Sequence, residues 1–215
     1  MLLIFDWDGT LADSREHIVN AMQAAITELK LAEKTDDQCA QMIGLGLLEV
    51  ARSLYPSLND DGLNLFASSY SAHFTDMRQH YGGTQFFPGA ISTLEALSEQ
   101  GHSLAVATGK SRRGLNRVLD ADNIGYLFSA TRAADETASK PSPLMLEEIL
   151  ADTGIPVSQA VMIGDTSYDM EMAANIDMQR IAVSFGMHEV DVLQQYSPSL
   201  VIDRLDQLLQ WHGLV

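Results

Sequence analysis

Leu2-Leu3-Ile4-Phe5-Asp6-Trp7-Asp8-Gly9-Thr10 is the stretch from which the fold can be read. Its apolar start predicts a strand buried on both faces, as in a parallel sheet. The strand delivers two carboxylates, two residues apart, to its C-terminal end, the edge where open α/β sheets bind ligands. Asp6 and Asp8 face one site while strand geometry lasts, although Gly9 ends the strand and can turn Asp8 to another angle. Two like charges this close repel unless a cation or a shared proton relieves them. One carboxylate as nucleophile, the other as acid/base and a divalent metal between them would account for the pair. A strand followed by an ordinary Asp-Gly turn also fits these nine residues taken alone.

Working outward, residues 14–83 read as helical. Ser14 is positioned to cap a helix whose apolar stripe is Ile18, Met22, Ile26 and Leu29. Shorter helices are expected over 36–43 and 47–54, hinged at Gly44-Leu45-Gly46, and a longer one over 61–80. After Gly82-Gly83 short apolar strands (104–107, 127–130, 160–163, 180–183, 200–202) alternate with helices. Those helices start at Pro88 and then cover 111–122, 141–153, 167–175 and 188–195, with a final helix after the last strand. Such alternation implies right-handed crossovers and a parallel sheet covered on both faces. The expected fold is therefore α/β: a doubly wound, Rossmann-like parallel sheet with an inserted all-α cap. Residues 1–13 and 84–215 would form the catalytic core and 14–83 the helical cap, which leaves the core just after the carboxylate pair.

Composition sets the outer bounds. The 215 residues, 46% hydrophobic and 20% charged, suit one large domain or a core with an insert. A formal net charge of −16 argues against nucleic acid or an anionic membrane as partner, so an anionic substrate must be drawn in by local cations. The opening apolar run lacks the basic start of a signal peptide, and nothing approaches the ~18 apolar residues of a membrane span; the expected localisation is cytoplasmic. The lone Cys39 excludes an intrachain disulfide and reads as a small apolar residue on a helix face. The six histidines lack metal-ligand spacing, so no zinc site is expected.

Three more strand ends carry polar groups. Thr108-Gly109-Lys110 offers a hydroxyl and amides just before a helix start, a ready anion site. Lys140 precedes Pro141-Ser142-Pro143, whose prolines hold the chain extended and then open a helix. Val161-Met162-Ile163-Gly164-Asp165 delivers another carboxylate, with Asp169 one helical turn on, a platform suited to Mg²⁺.

In this order the four segments resemble the motifs of the haloacid dehalogenase superfamily of phosphotransferases. The resemblance rests on Asp6-Trp7-Asp8-Gly9-Thr10, Thr108-Gly109-Lys110, Lys140-Pro141 and Gly164-Asp165-Thr166-Ser167-Tyr168-Asp169, and it spans nearly the whole chain, helical insert included. The motif spacing and Phe87-Pro88-Gly89 look like the phosphoglycolate-phosphatase-like branch. What the resemblance implies is a phosphatase acting on a small phosphorylated metabolite, as monomer or homodimer. Asp6 would be the nucleophile that becomes an aspartyl-phosphate, and Asp8 the acid/base. Mg²⁺ would be held by Asp6, the Asp8 carbonyl and Asp165, with Asp169 directly or through water. Lys140 would neutralise charge, Thr108 and Gly109 would grip phosphoryl oxygens, and Thr10 would orient Asp8. For a carboxylate of the substrate, Arg15, Arg52, Arg78 and Arg112 are candidates, and Gly44 would bring the cap loop to the site. Trp7 and Asp177 depart from the family's usual residues: the Trp7 ring could narrow the pocket, and Asp177 stands where relatives often carry glycine.

Competing readings stay open to different degrees. A dehalogenase needs neither Asp8 nor Asp165, and a receiver domain has no reason to carry an insert of roughly 70 residues. A non-enzymatic phosphate-binding regulatory protein predicts a broken motif, and none is broken. A phosphomutase resembling β-phosphoglucomutase, a pyrophosphatase or a nucleotidase shares the motifs. The sequence does not choose among phosphoglycolate, a sugar phosphate, a nucleotide and pyrophosphate.

Overall fold

The structure, a computed structural model, describes residues 1–81 and 83–214, the side chains of 78–81 and 214 excepted. Gly82 and the side chains of Arg78 and His80 thus lie outside the described residues. Six parallel strands form one sheet in the order β3-β2-β1-β4-β5-β6: β1 (Leu2–Phe5), β2 (Ser103–Thr108), β3 (Phe128–Ala133), β4 (Ala160–Gly164), β5 (Gln179–Val183) and β6 (Leu200–Ile202). β1 lies centrally, and Leu2, Leu3, Ile4 and Phe5 are all fully buried.

Alternation explains why all four must be apolar. Leu3 and Phe5 join Leu104, Val106, Val161 and Ile163 on one face of the sheet. Leu2 and Ile4 join Ala105, Ala107 and Met162 on the other. The first face is covered by α5 (Ala90–Glu99) through Leu94 and Leu97, and by α6 (Arg112–Asp122) through Leu115 and Val118. The second is covered by α7 (Leu144–Thr153) through Met145, Leu146 and Ile149, and by α8 (Ser167–Ala174) through Met172. A short α9 (Val190–Gln194) adds Leu193.

Between β1 and α5 run α1 (Arg15–Glu28), α2 (Asp36–Ala40), α3 (Leu47–Leu54) and α4 (Asp60–Tyr81). Their inward residues, Ile18, Met22, Ile26, Cys39, Val50, Leu54 and Phe66 among them, form a separate apolar cluster. Cys39 is a buried free thiol within it, as expected of a small apolar residue.

Several boundaries differ from the sequence expectation. The 36–43 helix stops at Ala40 and continues as turns to Gly44, whose φ of 103° is in the left-handed region. The helix expected from Pro141 begins at Leu144, because a turn from Ser142 back to Ser139 occupies the intervening residues. The final helix is a 3₁₀ segment, Leu205–Gln210; its buried Leu205 and Leu208 are three apart, the repeat of that tighter helix. Trp7 is only 1% exposed and packs edge-on against Phe86 in the core, so it leaves the pocket unobstructed. Asp177 takes a φ of 54°, which explains why a glycine suits that turn. No helix among the described residues is long and apolar enough to cross a membrane.

Candidate active site

The sheet order reverses between β1 and β4, and ligands of doubly wound sheets sit at the carboxyl ends of the strands at such a point. Asp6 leaves β1 there, its N–H donating to the Ile163 carbonyl of β4 at 2.9 Å. Asp165 leaves β4 beside it. The pairing of Phe5 with Val106 carries Thr108, the last residue of β2, to the same edge. Lys140 reaches in from the segment between β3 and α7.

Asp6, Lys140 and Asp165 form one buried cluster with Asp169 of α8. Lys140 Nζ donates to Asp6 Oδ1 at 2.5 Å and to Asp169 Oδ1 at 2.6 Å. Asp169 Oδ2 accepts from the Thr166 hydroxyl at 2.7 Å and the Thr166 N–H at 3.1 Å. Asp165 Oδ1 accepts from the Thr10 hydroxyl at 2.9 Å, and Oδ2 from the Met187 N–H at 2.8 Å. Thr10 therefore holds Asp165, not Asp8 as expected. Three glycines bring the backbone close enough for this packing. A Cβ at Gly9, where φ is 91°, would lie 2.1 Å from Asp165 Oδ2; one at Gly186 would lie 2.1 Å from Asp165 Cβ; one at Gly164 would strike Asp169 at 2.4 Å.

Three carboxylates share a dry site with one ammonium group. Burial pushes Asp6 well above the usual carboxylate range; Lys140 opposes the shift, while the charges of Asp169 and Asp165 add to it. Asp165 is pushed up to about 7, by burial first and by Asp169 second. Burial alone would lower Lys140, but Asp169 and Asp6 outweigh it and hold the ammonium charged. Asp6 Oδ2 is buried with no hydrogen-bond partner. One oxygen from each of Asp6, Asp165 and Asp169 falls within a 4.8 Å group, so an all-oxygen donor set surrounds an unsatisfied acceptor. A hard divalent cation fits these residues: it would relieve the excess negative charge and satisfy Asp6 Oδ2.

Asp8 is turned away from this cluster. Its Oδ1 accepts from Ser14 Oγ at 2.6 Å and from Lys110 Nζ at 2.8 Å. The Ser14 hydroxyl is thereby diverted from capping α1, where it makes no side-chain cap bond. Lys110 also stands 5.2 Å over the Phe74 ring of α4. The sequence reading placed Lys110 in a motif but gave it no partner. It also missed the Met187 N–H, for which the sequence holds no signal. Thr166, by contrast, could have been found from its Thr-x-x-Asp capping box with Asp169.

The insert rests directly on this rim. Gly109 has no room for a Cβ, which would come within 2.5 Å of the Leu45 carbonyl and 2.6 Å of the Gly44 carbonyl. Gly46 N–H donates to Ser139 Oγ at 2.7 Å, and Tyr168 Oη to the Gln41 carbonyl at 3.0 Å. On the opposite side Arg117 donates to Thr75 Oγ1 at 2.9 Å. Between the two lies a cavity of about 1260 Å³, bounded on the core side by Asp8, Gly109 and Lys110, with Gly44 in its wall. Of the arginine candidates, Arg15 pairs with Asp37, Arg52 with Glu49 and Arg112 with Glu136, and none of the three lines the cavity. Arg113 and Arg117 line it instead.

Known proteins similar to this chain give a consistent picture. Residues 3–183 match the family described as haloacid dehalogenase-like hydrolase. The chain is 30% identical to "Probable phosphatase IndB" of Dickeya dadantii, over 97% of this chain and 91% of that one. It is 29% identical to the phosphoglycolate phosphatase of Aliivibrio fischeri, over 97% and 94% of the two chains. A crystal structure of a hydrolase from Pseudomonas syringae superposes with a TM-score of 0.87, covering 97% of this chain and 95% of that one; at 22% identity this speaks to the fold.

Proposed function

The chain belongs to the haloacid dehalogenase-like hydrolase family, and from that premise we propose a Mg²⁺-dependent phosphatase that cleaves a small-molecule phosphomonoester through an aspartyl-phosphate on Asp6. Its chemistry is that of its phosphoglycolate-phosphatase-like relatives. The observation that carries this reading is the asymmetry of Asp6: one oxygen is fixed by Lys140, and the other is buried, unpartnered and beside two further carboxylates.

A carboxylate oxygen of Asp6 attacks phosphorus in line with the ester oxygen, forming the acyl-phosphate bond as the P–O bond to the leaving group breaks. Asp8 supplies the proton that the leaving oxygen needs. Water then attacks the phosphorus, Asp8 takes its proton, and Asp6 is regenerated as inorganic phosphate leaves. Lys140 opposes the upward shift of the Asp6 carboxyl and aims it while lowering its repulsion of an anionic phosphate. Thr108 and the amides that follow it grip the oxygens that are not transferred. Mg²⁺ would be held by Asp6, the Asp8 carbonyl and Asp165, with Asp169 directly or through water, and when bound it neutralises charge between nucleophile and phosphate. Lys110 is shared between two roles: incoming phosphoryl oxygens compete with Asp8 for its ammonium and so free the carboxyl for proton transfer. The helices of 14–83 serve as the cap that excludes water.

The test is phosphate release from a panel of phosphomonoesters with and without Mg²⁺. Asp6→Asn should fold normally and lose turnover by about 10⁴-fold or more. Asp8→Asn should lose hydrolysis but accumulate phosphate on Asp6, visible by mass spectrometry. Ordinary turnover by Asp6→Asn, or phosphate trapped on another residue, overturns the assignment.

A further inference from the structure

The space between insert and core is much larger than a minimal phospho-acid requires. A two-carbon acid takes the place of roughly five waters, about 150 Å³ at ~30 Å³ each. The cavity measures about 1260 Å³, above the roughly 300–1,000 Å³ of pockets that bury drug-sized ligands. Nor is the excess a sign of a raised insert. On one side Gly44 and Leu45 already touch the backbone at Gly109, and Gly46 and Gln41 are hydrogen-bonded to Ser139 and Tyr168. On the other side Arg117 is bonded to Thr75, and Lys110 sits over Phe74. The volume is what remains with the insert seated on both flanks.

The walls say what kind of group fits. Ile18, Leu45, Leu47 and Phe74 line the insert side, interspersed with polar groups such as Asn64 and Ser71, so the surface offered there is mixed with an apolar and partly aromatic part. A small acid would leave that apolar part facing water, which wastes the burial the walls could provide. Of the arginines expected to receive a carboxylate, Arg15, Arg52 and Arg112 are paired elsewhere; Arg113 and Arg117 line the cavity, and Arg117 is bonded to Thr75.

We infer that the preferred substrate is a phosphomonoester whose leaving group carries an aromatic or extended apolar ring system, seated against these walls with its phosphate directed past Asp8 and Lys110. The inference rests on the phosphatase reading above and names the substrate class for the same site. Binding energy from the ring, remote from the phosphorus, would then set specificity.

The experiment compares kcat/KM for flavin mononucleotide and a purine nucleoside monophosphate with that for phosphoglycolate and glycerol phosphate, all with Mg²⁺. At least one ring-bearing ester should exceed both small esters on the order of a hundredfold. The corresponding phosphate-free compounds, riboflavin and the nucleoside, should inhibit competitively. Leu47→Ser should raise KM for the preferred ring-bearing ester roughly tenfold with a smaller change in kcat. Equal or better turnover of the small esters overturns the size inference and leaves the phosphatase reading intact. Competitive inhibition by none of the phosphate-free compounds also overturns it. Hydrolysis of no ester at all overturns both.

Discussion

The floor of the site and its roof are held by different forces. At the floor, Asp6, Lys140, Asp165 and Asp169 are at most 1% exposed; Lys140 joins Asp6 and Asp169 by charge-assisted hydrogen bonds, Thr10 and Met187 hold Asp165, and glycines at 9, 164 and 186 let backbone approach to contact distance. At the roof, the insert has its own apolar cluster and meets the core through hydrogen bonds, the contact of Lys110 with the Phe74 ring, and close backbone approaches at Gly44, Gly46 and Gly109. A floor of this kind tolerates little displacement, because each group is buried and depends on another for its charge balance. A roof of this kind can change its lining side chains without touching the groups below. On the proposed reading, the floor fixes the chemistry through backbone and the roof leaves the choice of substrate to side chains.

Removing the ammonium group that bridges two carboxylates of the floor tests this contrast most severely. Lys140→Met leaves Asp6 and Asp169 buried without their cation, and it should cost about 3–5 kcal/mol in urea unfolding as well as turnover. A loss below ~1 kcal/mol would mean that the floor is not an interdependent unit. A substitution at the junction should act more weakly and on a different quantity. Gly109→Ala pushes a methyl group into the Leu45 carbonyl, displacing the insert while leaving the core strands in place. Its KM should rise about tenfold with stability changed by less than ~2 kcal/mol; an unchanged KM would separate the roof from substrate binding.

The smallest effect concerns pH. The Asp165 carboxyl is raised to about 7 in the fold, so the folded state holds a proton there that the unfolded chain has already lost. Stability from this group is fully present below the ordinary carboxyl pKa of 3.8 and is lost progressively as pH rises to about 7. Metal-free protein should therefore melt a few degrees lower at pH 8 than at pH 6. Mg²⁺ favours the ionised carboxylate and should stabilise more at pH 8 than at pH 6. Parallel melting curves at both pH values, with and without Mg²⁺, decide the point; a metal-free protein more stable at pH 8 contradicts it.

Legibility in the sequence follows the same division. The strand ends could be read because an apolar run followed by a polar residue is a local signal; thus Asp6, Thr108 and Asp165 were found at their strand ends. Thr10 was assigned to Asp8, two residues away, whereas its partner is Asp165, 155 positions along the chain. Ser14 was read as a helix cap because capping is local, yet its hydroxyl serves Asp8. Arg15 and Arg112 were candidates by charge alone, and their pairing with Asp37 and Glu136 depends on how helices and loops settle. The loop at Gly44-Leu45-Gly46 is legible as a hinge and as a cap loop reaching the site; that it bears on Gly109 in particular needs both halves of the molecule in place.

The sequence by itself determined the alternation of strands and helices, the interruption by a helical insert, and the identities of the acids and the lysine that meet. Hydrophobic periodicity and turn residues act over a few positions, so they are written in adjacent letters. The tertiary structure alone decided which carboxylate oxygen each donor satisfies, that Lys110 belongs to Asp8, and how much space the insert leaves above the site. Those outcomes depend on the parallel order that sets β4 beside β1 and on the packing of two apolar clusters against a shared rim, and neither is a property of any short stretch of chain.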